Sequence, residues 1–170
     1  TDAALSAQLV NRTPSRTDNI DVARAYLRIR ILRARAAATP EEALAIAELH
    51  LAWLTTAQEQ GEAACRQVSS GQFASKIPEM RGDWVNFEQS VAASLLRSRM
   101  FSVLPPESTV SALPDWVYTD AAARYNADDT TLRSAMEYPE APGRCAASIA
   151  LIQAMLARPV RFSTNHTLSA

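Results

Sequence analysis

The run Thr39-Pro40-Glu41-Glu42 constrains the fold more than any other part of this chain. Thr39 is a good N-cap residue, Pro40 takes the first helical position, and Glu42 lies three residues after the cap, the capping-box arrangement. Behind this start signal, Leu44, Ala47, Leu51, Leu54, Gln58, Gly61, Cys65 and Val68 recur at spacings of three and four. That periodicity predicts one continuous helix over about 40–68 with a single seam along it. At 1.5 Å per residue such a helix would be a rod of about 44 Å, long enough for several other helices to pack along it.

The remaining stretches read as helices arranged around that rod. Residues 1–13 form a short amphipathic segment in which Leu5, Leu9 and Val10 face the body, and Thr13-Pro14-Ser15 ends it. A second helix, 17–36, is capped by Thr17 or Asp18. Its apolar stripe is Ile20, Ala23, Leu27, Ile31 and Ala34, widened by Val22, Tyr26 and Ile29. Arg24, Arg28, Arg30, Arg33 and Arg35 fill the rest of its surface. Residues 1–38 carry a net +4 and residues 39–80 a net −4, so a tight turn near Thr39 would set a basic helix against the acidic face of the rod, with Glu41, Glu42, Glu48, Glu59 and Glu62.

After a loop over 70–82, Asp83 is the expected cap of a helix to about Phe101, with Trp84, Phe87, Val91 and Leu95 inward. Pro105-Pro106 stops it, and 102–114 is a connector. Shorter helices follow: one from Pro114-Asp115 to about Asn126, one capped by Asp128 or Asp129, and one over 143–157. Residues 160–170 read as a polar, frayed tail, and Val160 to Phe162 is the one weak strand candidate. The expectation is an all-α, single-domain bundle of six or seven helices spanning 1–170.

Composition agrees with that class. The hydrophobic fraction is 48% but aromatics are only 6%, with 4 Gly and 9 Pro, a balance that favours helix over sheet. The net charge of −1 gives no general attraction to nucleic acid or to an acidic membrane surface. Lys76 is the only lysine against sixteen arginines, a ratio read as the mark of a GC-rich bacterial genome. No apolar run approaches the roughly 18 residues of a spanning helix. A start at Thr1 without a charged-then-apolar leader fits a mature exported chain or the soluble part of a longer one.

The two cysteines carry the compartment argument. Cys65 lies on the rod's seam, and Cys145 shares a face with Ile149, Ile152 and Leu156, so the two can meet across the core. A bond between them would close an 80-residue loop, worth about 4 kcal/mol in the chain-entropy view. Two buried free thiols are the alternative.

Reactive constellations are sparse. His50 and His166 are the only histidines, and neither has the spacing of a metal ligand; no metal and no cofactor is expected. His50 reads as a boundary residue, Glu48 as a solvated acid and Asp128-Asp129 as a helix cap rather than a catalytic pair. Glycines 61, 71, 82 and 143 never cluster into a phosphate-cradling loop, and no Gly-x-Ser-x-Gly elbow exists. The functional expectation is therefore a non-enzymatic bacterial accessory or interaction module, periplasmic or envelope-associated, whose partner is another protein. Trp84, Phe87, Trp116 and Tyr118, just after loops, are the candidate anchors. A small-molecule enzyme or binder using a pocket lined by arginines such as Arg24, Arg28 and Arg30 is the alternative, and a cavity holding two or more arginines is its signature. Nucleic-acid binding through 17–36 is disfavoured by the pI near 6.

Overall fold

The computed structural model describes residues 16–35, 38–73, 80–98 and 113–158. The expected helix over 1–13, the strand candidate, the tail, His166 and most of the 102–114 connector lie outside them. The described residues form seven helices and no strand: α1 (Arg16–Ala34), α2 (Pro40–Glu59), α3 (Glu62–Ser69), α4 (Gly82–Arg97), α5 (Asp115–Tyr125), α6 (Asp129–Glu137) and α7 (Arg144–Leu156). None of them is long and apolar enough to cross a membrane.

The start signal of α2 works as its residues dictate. Glu42 N donates to Thr39 Oγ1 at 3.2 Å, and Thr39 N donates to Glu42 Oε2 at 2.9 Å, closing the capping box. Asp128 is likewise the cap of α6, accepting from Thr131 N at 2.7 Å. Asn126 ends α5 in the left-handed region, φ 55° and ψ 43°, a conformation asparagine tolerates. Asp83 is not a cap: Arg81 holds that position and Asp83 lies in the first turn of α4, where its charge suits the helix dipole.

The expected rod is broken. α2 stops at Glu59, and the chain turns at Gln60 and Gly61, whose φ of 119° and ψ of 161° belong to glycine alone. α3 then folds back along α2. The Phe73 ring meets the Trp53 ring edge-on with centroids 5.5 Å apart, whereas a straight helix would hold positions 53 and 73 about 30 Å apart. The apolar spacing runs through the break because each half buries its own face. Gln58 and Gly61, counted as seam positions, are both exposed.

Two helices share the centre instead of one. α2 buries Ala43, Ile46, Ala47, Leu49, His50, Ala52, Trp53, Leu54 and Ala57, and α7 buries nearly every residue from Cys145 to Met155. Both are apolar round most of their circumference, the pattern of a helix packed on all sides. α7 packs most closely on α5 and then on α2, and one apolar cluster joins residues of all seven helices.

Cys65 of α3 and Cys145 of α7, both fully buried, are disulfide-bonded with Cα atoms 5.4 Å apart. Arginines reinforce the same junction. Arg144 donates through Nη1 to the Met136 and Tyr138 carbonyls (2.7 and 3.2 Å) and through Nε to Ser69 Oγ (3.2 Å), while Arg66 Nη1 reaches the Glu140 carbonyl at 3.2 Å. Carbonyls left unpaired at the end of α6 thereby gain cationic donors.

Candidate functional site

α4 divides the two openings that bear on function. Its one flank faces α1 and its other flank faces the beginning of α2.

On the α1 side, helical periodicity brings Ala25, Arg28, Ile31, Ala34 and Arg35 inward, a stripe that keeps Ile31 and Ala34 of the expected one but turns its first half towards Ala25 and Arg28. Ile20 and Tyr26 remain 48% and 42% exposed. The cause is Arg28, expected on the surface but only 2% exposed. Its Nε and Nη2 donate to Glu88 Oε1 and Oε2 at 2.6 and 3.1 Å, a two-pronged pair that satisfies both carboxylate oxygens. The same guanidinium lies 5.1 Å from the centre of the Trp53 ring, a cation–π contact that faces its remaining positive edge with π density. Nη1 makes no hydrogen bond. Beside this pair is a cavity of about 180 Å³ lined by Arg24, Leu27, Arg28, Met80, Val85, Glu88 and Gln89.

Deeper in, His50 is buried rather than at a boundary, and neither ring nitrogen is in good hydrogen-bond geometry with a partner. Burial, then the charge of Arg35, push its pKa down to about 3, with the nearby Val68 backbone opposing slightly. His50 is therefore neutral in the folded protein at any ordinary pH. Burial also lowers Arg35, to about 10, which leaves it charged.

On the α2 side lies a groove of about 230 Å³ lined by Glu41, Glu42, Ala45, Phe87, Ser90, Val91, Ser94 and Leu95. Among the described residues its lining has two carboxylates and no cation. Trp84, 40% exposed, stands against Phe87 at its edge with ring centroids 5.7 Å apart.

The other expected anchors are already engaged. The Trp116 ring carries Arg158 at 5.1 Å, itself paired with Asp120 at 3.0 Å. The Tyr118 ring carries Arg133 at 3.7 Å, held by Asp129 at 2.7 Å. A depression of about 410 Å³ opens beside Tyr118 and Arg133, but Arg133, the cation among its described lining residues, is already stacked and paired. Arg30 lies over Tyr26 at 5.7 Å, and Arg24 is exposed at the mouth of the α1 cavity. Glu48 is exposed, as its position suggests.

Glu88 and Trp53 escaped sequence reasoning. A signal exists for the buried pair: Glu88 shares the 88–91–95 spacing of the inward stripe, and Arg28 shares the 25–28–31 spacing. A lone acid and a lone base, each on an apolar face, mark a buried pair. Among the described residues no group of three or more His, Cys, Asp or Glu could hold a metal ion. Comparison with protein-family models, curated proteins and solved structures finds no match to this chain.

Proposed function

We propose that this chain is a non-enzymatic binding module of an oxidising compartment, the bacterial periplasm or envelope, and that it takes hold of another protein through the edge of α4. The observation that carries the reading is Trp84. It is a large aromatic left 40% open beside Phe87 and a groove, while Trp116 and Tyr118 have their faces covered by paired arginines. Open aromatics next to a well-formed recess are the residues that dominate protein–protein affinity. The buried Cys65–Cys145 bond supports the compartment, because glutathione and thioredoxin keep such pairs reduced in the cytosol.

The test is photo-crosslinking in the cell that makes the protein, with a benzophenone amino acid placed at Trp84 and, as control, at Tyr138, which is 62% exposed and distant in sequence. A discrete adduct with a second protein from position 84 and none from 138 is expected. No adduct from position 84 overturns the reading.

A second reading has one observation in its favour: the α1–α4 cavity holds two arginines, Arg24 and Arg28. Glu88 neutralises Arg28, so among the described lining residues Arg24 remains to attract a ligand, and the cavity, below the usual volume of small-molecule sites, suits a monoanion of about the size of acetate. Binding of such an anion that disappears in Arg24→Gln would favour this reading over the first.

A further inference from the structure

We infer that the groove between α2 and α4 receives a lysine or arginine side chain presented by the partner protein. The inference rests on the binding-module reading and adds the chemistry of what is bound.

The groove has a volume suited to one long side chain. At about 230 Å³ it lies below the roughly 300–1,000 Å³ of small-molecule sites. Ala45, Phe87, Val91 and Leu95 supply its apolar wall. Lysine and arginine bury their methylene stems on such walls while the charged head stays at a polar rim. The polar part of the lining is Glu41 and Glu42 of α2 with Ser90 and Ser94 of α4, the two serines one helical turn apart.

Charge selects the cation. A carboxylate entering the groove would face Glu41 and Glu42, with no base among the described lining residues. A purely apolar side chain would strip water from Glu41, Glu42 and both serines and return no hydrogen bonds. A guanidinium or ammonium gains charge-assisted bonds to the glutamates and packs beside the Phe87 ring of the same lining. The first turn of α2 opposes a cation with about half a unit of positive charge. One oxygen of Glu42 is also spent on Thr39 N. Glu41, exposed and free of the capping box, is thus the main electrostatic anchor.

The test is a titration of the full chain, followed by amide NMR, with n-butylguanidinium chloride, n-butanol and sodium butyrate at constant ionic strength. Saturable shifts at the Phe87, Ser90 and Ser94 amides are expected with butylguanidinium, smaller ones with butanol and none with butyrate. Glu41→Gln should weaken the butylguanidinium response about fivefold. Absence of shifts in the groove, or equal binding of butanol, overturns the inference even if Trp84 crosslinks to a partner. In that case the module reading survives and only the partner's chemistry falls. A crosslink from position 84 to a second copy of this chain overturns the claim of a distinct partner.

Discussion

Arg28 and Glu88, sixty residues apart in sequence, meet in the interior with Nε 2.6 Å from Oε1, and both side chains are at most 10% exposed. A pair so far from water is balanced between a large desolvation cost and strong mutual attraction, so its two members cannot be removed separately without penalty. Glu88→Leu should lower stability by about 3–5 kcal/mol because it strands the Arg28 charge. The double replacement Arg28→Leu with Glu88→Leu should recover most of that loss. Urea unfolding of both variants checks the ordering; a double variant as weak as the single one contradicts it.

His50 sets the acid limb of stability. Its folded pKa lies near 3 against about 6.5 when unfolded, so the unfolded chain binds the extra proton throughout that window. Stability contributed by neutral His50 is complete above pH 6.5 and is lost as pH falls towards 3, by at most about 1.4 kcal/mol per pH unit. Unfolding midpoints measured from pH 7 to pH 4 should fall, and His50→Leu should flatten the fall. An identical pH profile in the variant contradicts this role.

Gly61 is the hinge of the α2–α3 hairpin, and its φ of 119° with ψ of 161° is strained for any residue with a Cβ. Nothing lies within 4 Å of a Cβ added there, so the penalty is backbone strain alone. Gly61→Ala should therefore cost about 1–3 kcal/mol by thermal or urea unfolding. A neutral or stabilising effect would mean that the turn is made differently.

These effects also show which parts of the chain were legible beforehand. The capping signals at Thr39 and Asp128, and the helix stops at Asn126 and after Leu156, depend on a few adjacent residues, and the structure uses them much as written. The inward Cys65 and Cys145 followed from periodicity, which reports burial directly. Periodicity could not reveal the fold-back at Gly61, because a hairpin of two amphipathic halves has the same spacing as one long helix. Nor could it show that Arg28 displaces Ile20 and Tyr26 from the buried face of α1, since the choice depends on Glu88, on another helix. Of the candidate site, Trp84 and Phe87 were visible as aromatics at a helix start, but the groove beside them forms only when α4 meets the first turns of α2.

The Cys65–Cys145 bond closes a loop of 80 residues and ties α3 to α7 at the centre of the bundle. The paired replacement Cys65→Ala with Cys145→Ala should cost about 4 kcal/mol, read as a lower urea midpoint. A loss well under 1 kcal/mol would show that Arg144 and Arg66 hold the junction without the bond.

The state of those two sulfurs in the cell decides whether the α3–α7 junction is locked where the protein works. The protein should be trapped with an alkylating reagent under denaturing, non-reducing conditions, straight from the cells that make it, and its intact mass read. No added label is expected before reduction and two after it. Two labels without reduction would contradict both the locked junction and the oxidising compartment on which the proposed function depends.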